Sequence, residues 1–517
     1  MKRLLITGKA TLASALWGAL VSGWVVLSPP AFASEPVDAN VRPPAVAGKF
    51  YPQDGKMLRS AVEAYLADAL PPRGEQPLAL VAPHAGYIYS GQIAADAFKQ
   101  AAGYEIDLVV ILGTNHTVPA FDSVSVFQGR GYATPLGVAM TDQPVAQALL
   151  ARGFVYKPEA HAAEHSEEVQ VPFVQVLFPK AKIVTAIVGR QDLTLAIRFG
   201  QALAAVLRGR KALVVASSDL SHYPPYDEAA AADRATLMAV ASLDPKAAAE
   251  SIARQMKSGR PGLETCACGE GAILAAMVAA KAMGATRGAV LDYANSGDTA
   301  IGERDRVVGY GAVVFTAGAG GTDTAALDVP RVARDPQLTE ADKMVLLKLA
   351  RSTVERYLTT GTLPLPRAST PALRAKQGAF VTLKKNGDLR GCIGHMAEDT
   401  PLAQVVSRMA LAAAFEDTRF PPVRSEELAS LEVEISVLTP LSPVPGPGAV
   451  VVGRDGVVIR KAGRSAVFLP QVAPEQGWSR DELLDHLCEK AGLPRDCWRR
   501  GCELLTFRAI VFGENKK

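Results

Sequence analysis

The sequence is sparing with the residue types that mark a specialised chain. Only 6% of its 517 residues are aromatic, and it has 6 cysteines and 7 histidines. Net charge is +3, from 55 basic and 52 acidic side chains. So even a balance excludes a chain-wide basic footprint for nucleic acid or anionic lipid. The cysteine density is too low for a disulfide scaffold in domains of ordinary size. Beyond the first 33 residues no continuous apolar run is long enough to span a bilayer. What remains is a globular composition, 49% hydrophobic and 21% charged, in a chain too long for one core.

The N-terminus breaks the pattern. Lys2, Arg3 and Lys9 precede an apolar stretch from Ala10 to Leu27, then Pro29, Pro30 and the small-x-small sequence Ala31-Phe32-Ala33. Charge, apolar run and small-residue site together predict a signal peptide over 1–33, with export to the periplasm or medium. An uncleaved anchor is the other reading of the same run. After cleavage no membrane span is expected. Cys266 and Cys268 stand one residue apart, a spacing that disfavours a mutual bridge. A bridge between Cys497 and Cys502, or between Cys488 and one of these, is open.

Residues 34–316 alternate short apolar runs with Ala-rich helical stretches. Leu78–Ala82, Leu108–Leu112, Ile183–Val188, Leu213–Ala216 and Val307–Phe315 read as strands; Met57–Leu70, Leu193–Leu207 and Ala229–Leu243 read as helices. That alternation predicts an α/β domain whose sheet is covered by helices on both faces. The small-residue stretch at 317–322 opens an expected linker over 317–338. A second domain follows at 339–517, opening on a helix capped by Thr339. Its helices and strands are less regularly interleaved, which predicts a smaller α+β domain.

The chemistry collects in the first domain. His84 follows the strand Leu78–Ala82, His116 follows Leu108–Leu112, and Ser217-Ser-Asp219-Leu-Ser-His222 follows Leu213–Ala216. Ligand sites of α/β sheets form outside the carboxyl ends of strands, so these side chains are delivered to one edge. Cys268 lies in a turn before a helix at 271–283. Two imidazoles and a thiolate suit iron, copper or zinc, not magnesium or calcium. Asp219 and His222 are then a supporting shell or an acid/base pair. The polar segment His161–Gln170 lacks the order of a zincin helix and reads either as a solvated loop or as a pocket wall.

Several stretches of this half resemble the Memo family: 43–52, Pro83-His-Ala-Gly-Tyr-Ile-Tyr-Ser-Gly91, Glu164-His-Ser-Glu-Glu-Val-Gln-Val-Pro-Phe173, Ser217–His222 and Val307-Val-Gly-Tyr-Gly-Ala312. The resemblance runs collinearly over about 42–316. It implies the fold of LigB-type extradiol dioxygenases and a metal held by His84, His116 and Cys268, with Asp219 and His222 in the pocket. Cys268 matches, not Cys266, because it directly precedes Gly269. Gly113-Thr114 departs from the family's usual Gly-Pro and leaves His116 in place. The dioxygenases use a carboxylate where Cys268 stands, so the implied cofactor is iron or copper ahead of zinc, and ring cleavage does not carry over automatically.

In the second half, Leu389-Arg-Gly-Cys-Ile-Gly394 follows a hairpin-like turn. By itself Cys392 reads as a small buried residue in a tight turn, or as a nucleophile served by His395 or His486. This hexapeptide, with Ala414–Val423, Glu434–Thr439 and Phe468–Val472, resembles the AMMECR family over about 340–513. Both families recur with a radical-SAM protein in AmmeMemoRadiSam systems. The resemblance therefore implies a metal-binding redox or accessory protein with a radical-SAM partner and a small-molecule or peptide ligand in the pocket. The alternatives are an extradiol-type dioxygenase acting on a phenol and a non-enzymatic ligand-binding module.

Overall fold

The computed structural model describes residues 40–327, 338–499 and 501–514. The expected signal peptide lies outside the described residues, as does 328–337 of the expected linker. Among the described residues, no helix is long and apolar enough to cross a membrane.

The first domain is built on a mixed sheet of eight strands: β1 (Pro77–Ala82), β2 (Leu108–Thr114), β3 (Val124–Val126), β4 (Lys182–Val188), β5 (Ala212–Ser217), β6 (Arg287–Asn295), β7 (Gly309–Thr316) and β8 (Gly321–Asp323). Their order across the sheet is β8-β6-β7-β1-β5-β2-β4-β3. The central four, β1-β5-β2-β4, are parallel, and β7 and β3 pair antiparallel at either side. Along β2, Leu108, Val110 and Leu112 enter one core while Val109 and Ile111 enter the other. A strand apolar at every position is what a sheet covered on both faces requires. Helices α1 (Gly55–Asp68) and α2 (Tyr87–Lys99) cover one face. The opposite face is covered by α3 (Leu193–Val206), α4 (Tyr226–Ala241) and α5 (Glu270–Ala282).

The α/β reading holds, and the elements it omits are short or peripheral. Besides β3 and β8 they include a small sheet of 41–42, 131–134 and 137–140. Composition reads 317–338 as linker, but Gly321–Asp323 is a strand, and Leu327 is buried in the first core. The strand pairs in parallel with Arg287–Ala289, and Asp323 adds ion pairs to Arg73 (2.5 Å) and Arg287 (3.3 Å).

The second domain is smaller and its sheets are antiparallel. Helix α6 (Glu340–Thr360) starts with a capping box, Thr339 with Asp342, and ends at Gly361 with φ 65°. One sheet has the order β10-β9-β11-β16, from β9 (Ala379–Lys385), β10 (Asp388–His395), β11 (Leu431–Leu438) and β16 (Ala509–Gly513). The other joins β12 (Ser442–Pro443), β13 (Gly456–Lys461), β14 (Arg464–Phe468) and β15 (Glu503–Phe507). Asn386 and Gly387, both at positive φ, make the tight turn between β9 and β10. Helix α7 (Leu402–Phe415) packs on the first sheet and α8 (Arg480–Lys490) on the second. Cys488, on α8, is bonded to Cys497, and Cys502 is free.

Candidate metal centre

Strands β1, β5 and β2 are neighbours, with Ala82 opposite Ser217 and Leu112 opposite Ala216. Their carboxyl ends therefore release His84, the Ser217–His222 loop and His116 side by side. The turn before α5 adds Cys268, tied down on both sides. Its carbonyl accepts from Thr114 Oγ1 (2.9 Å), and Gly269 N donates to Ser218 Oγ (2.9 Å). A Cβ on Gly269 would stand 2.6 Å from the Ser217 carbonyl oxygen, so this approach requires glycine.

The three donors converge. The ligand atoms of His84, His116 and Cys268 lie within 4.8 Å of one another, and Cys268 Sγ is 3.1 Å from His84 Nε2. The hydrogen-bond network sets both tautomers. Ser217 Oγ donates to the Ser166 carbonyl (2.5 Å), so it can only accept from His84 Nδ1 (3.1 Å). Glu164 Oε1 accepts from His116 Nδ1 (2.9 Å). With Nδ1 so engaged, Nε2 is the nitrogen of each ring left to face an ion. One ion with bonds of about 2.0–2.3 Å could meet all three donors after small side-chain movements. His84 is buried at the bottom, whereas the His116 side chain is 30% exposed, so the pocket opens to solvent.

Electrostatics favour a cation there. Burial, reinforced by His116 and His165, depresses the pKa of His84. Burial and the Asp219 carboxylate push the Cys268 thiol up. Burial also opposes charging Glu164, but the hydrogen bond and charge of His116 outweigh it and bring the carboxyl down to about 2. A buried neutral imidazole and a protonated thiol beside an ionised carboxylate are groups a metal ion would reorganise, displacing the thiol proton.

Asp219 uses one oxygen structurally. Its Oδ1 accepts from His84 N (2.7 Å) and Ala85 N (3.2 Å), while Oδ2 stands 4.0 Å from His84 Nε2. His222 donates from Nδ1 to the Leu220 carbonyl (3.0 Å), leaving Nε2 as the basic nitrogen. The backbone of this loop is tied to the turn bearing Cys268, His222 N donating to Thr265 O (3.0 Å) and Cys268 N to Asp219 O (3.3 Å). Cys266 belongs to the core and is fully buried.

The structure also decides how the polar segment is used. Glu164, Ser166, Glu167, Glu168 and Gln170 are fully buried, and the segment is a pocket wall. Glu164 accepts from four donors: His116 N, His116 Nδ1, His165 N and Ser166 N. Ser166 Oγ receives Thr114 N (3.1 Å), and a Cβ on Gly113 would lie 2.5 Å from that oxygen. His165 stacks on His116 with ring centroids 4.7 Å apart. Glu164 and His165 are the site residues whose roles sequence patterning leaves unassigned, and Ser217 enters it only as the first residue of the Ser217–His222 segment. The signal for Glu164 and His165 is an acidic, histidine-bearing run just before the apolar Val169–Phe173.

In the second domain Cys392 is not joined by an imidazole. Its sulphur accepts from Thr382 Oγ1 (3.3 Å) and its N–H donates to Asp417 Oδ2 (2.9 Å). His395 pairs with Asp399 (2.7 Å), and His486 stacks on Trp478 and bonds Glu489. On a strand, positions 392 and 395 face opposite sides. Neither histidine serves as a base for this thiol.

Comparison with known proteins agrees with both halves. A Memo-like protein model matches residues 42–314 and an AMMECR1 model matches 347–512. A MEMO1 family protein of Methanopyrus kandleri is 38% identical over 291 residues, 54% of this chain and 99% of that protein. One from Aquifex aeolicus is 37% identical over 279 residues, with 53% and 99% covered. A crystal structure of an uncharacterized Pyrococcus horikoshii protein is 41% identical, covers 33% of this chain and 90% of its own, and has a TM-score of 0.32. The chain belongs to the Memo-like family and carries an AMMECR1 domain fused behind its Memo-like domain.

Proposed function

We propose that the first domain binds iron or copper through His84, His116 and Cys268 and works as a redox or accessory component of an AmmeMemoRadiSam-type system. The observation that carries this reading is the convergence of the His84, His116 and Cys268 donor atoms, all within 4.8 Å of one another, with both Nδ1 atoms already engaged by Ser217 and Glu164. A thiolate with two imidazoles favours these metals over the hard cations. Bound there, the ion supplies electron exchange and Lewis acidity. The protein's own groups do the rest. Asp219 holds the backbone of His84 and Ala85, and its second oxygen, 4.0 Å from His84 Nε2, is one proton acceptor beside the donors. His222, with Nε2 basic, is the other proton-transfer group. The solvent-facing mouth at His116 admits a small molecule or the end of a peptide. The radical-SAM partner supplies the radical step, for which this chain has no cluster motif. Export through the N-terminal segment fits the Cys488–Cys497 disulfide, which an oxidising compartment preserves.

Metal analysis of the purified full chain tests the reading. One iron or copper per chain is expected, with H84A, H116A and C268S each lowering occupancy and the triple variant abolishing it. Full metal content in the triple variant would contradict the site.

A further inference from the structure

The fusion has a consequence at the pocket itself. Between α6 and the second domain's sheet the chain reads Gly361-Thr-Leu363-Pro-Leu365-Pro-Arg367. The alternating prolines fix φ and hold the residue before each one extended. In an extended segment, Leu363, Leu365 and Arg367 face the same side and span about 13 Å. Along α2 in the first domain, Ile88, Gln92 and Asp96 are spaced by four and form one stripe about 12 Å long. The two rows match in length, line one cleft and meet at Arg367 and Asp96. Leu363 packs with Ile88; Leu365 shares a wall with Gln92; Arg367 Nη2 meets Asp96 Oδ2 at 2.5 Å.

Arg367 also reaches Asp292 Oδ2 at 3.1 Å. Each carboxylate spends its other oxygen on a backbone N–H, Leu70 for Asp96 and Tyr293 for Asp292. The guanidinium is therefore the shared countercharge of two first-domain acids. Arg356 adds an ion pair to Asp68 and lies 5.1 Å over the Tyr65 ring.

A second contact lies on α7. Gln404 Nε2 donates to Asp298 (2.6 Å) and its carbonyl accepts from Arg304 (2.9 Å). Arg408 donates to the Gly302 carbonyl (2.9 Å), and Leu411 packs with Ala300. The gripped loop, 296–306, leads straight into the residues that hold the Asp219–His222 backbone. Leu220 N donates to Gly309 O (2.8 Å), Gly309 N to Ser221 O (2.8 Å), and Tyr223 N to Val307 O (2.7 Å). The other gripped element, α2, begins three residues after His84.

We propose that the second domain is a clamp on the metal pocket. The Leu363–Arg367 strap fixes α2 and so His84, while α7 fixes loop 296–306 and so the loop bearing Asp219 and His222. The strap docks on the Ile88–Gln92–Asp96 stripe, and the partner of that stripe is this chain's own second domain. Two residues beyond the end of α7, Asp417 holds Cys392, so the hexapeptide strand and the pocket rim share one brace. The geometry of the clamp stands independently of the metal assignment. Only its effect on ion release rests on that reading.

Hydrogen exchange on the metal-free full chain tests it, with R367Q and Q404A/R408A as variants. The second variant leaves both Asp96 and Asp292 paired. In R367Q, exchange in 361–365 and in 84–92 should rise by tenfold or more. In Q404A/R408A the same rise should appear in 296–309 and 219–223. Strands β1 and β5 should stay at wild-type rates in both. Opening of 361–365 with 84–92 unchanged would overturn the clamp, and so would wild-type rates throughout either variant. Chelator-driven loss of added Cu²⁺ should quicken in parallel. If the exchange result holds but the wild type takes up no Cu²⁺, the clamp stands and the metal reading fails.

Discussion

Two cysteines, one in each domain, sit in similar Gly-flanked sequence and in different chemistry. Cys268 leaves a turn at the carboxyl edge of a parallel sheet, where neighbouring strands have already delivered two oriented imidazoles. Cys392 lies within an antiparallel strand, its sulphur on a threonine hydroxyl and its N–H on Asp417. The local sequence around a thiol therefore says little about its chemistry. The topology that brings other strand ends to it says much more, and only the parallel sheet supplies such convergence.

The comparison is broken most severely at Glu164. Replacing it with Ala removes a fully buried carboxylate and strands its four donors, whereas Asp417→Ala frees Cys392 N and the exposed Arg419. E164A should lose about 3–5 kcal/mol of stability and about 10–100-fold in metal affinity. D417A should leave metal affinity unchanged. Denaturant unfolding and competitive chelator titration read the two effects.

A smaller effect separates the domains by their sulphur chemistry. The disulfide Cys488–Cys497 closes a short loop, its cysteines separated by 9 positions. Reducing it, or making C488S/C497S, should cost the second domain about 2–3 kcal/mol. Metal binding in the first domain should not change. Thermal unfolding with and without reductant, followed at the second domain's Trp478 and Trp498, measures this.

The first domain also carries a pH dependence that the second does not share. Burial pushes Asp233 up to about 7, though Ser221 and Tyr293 donate to its carboxylate. An acid whose folded pKa is raised contributes stability that is complete below its unfolded value, near 3.8, and lost as pH rises through about 7. Stability should therefore fall between about pH 4 and 7 by up to about 1.4 kcal/mol per pH unit. In D233N that slope should flatten, as seen in urea midpoints across the range.

Much of this was legible in the sequence, and the gaps have physical causes. The parallel strands were readable because burial on both faces makes them apolar at every position, as in β2 and β5. The convergence of His84, His116 and Cys268 could be anticipated because two strand ends and a turn before a helix carry them, and the structure brings these three donors together. Glu164 and His165 were not, since a buried polar wall looks like a solvated loop until its partners are known. Strand β8 escaped notice because it is three residues long, polar and small in composition, and pairs only at the sheet's edge. The clamp was likewise hidden: Leu-Pro-Leu-Pro-Arg gains meaning only when the stripe on α2 lies beneath it.

The most direct test of the central claim is optical. The full chain loaded with Co²⁺ or Cu²⁺ should show a thiolate-to-metal charge-transfer band. That band should vanish in C268S and persist in C392S. A band that survives C268S, or that disappears in C392S, would contradict the assignment of Cys268 as the metal-binding thiol.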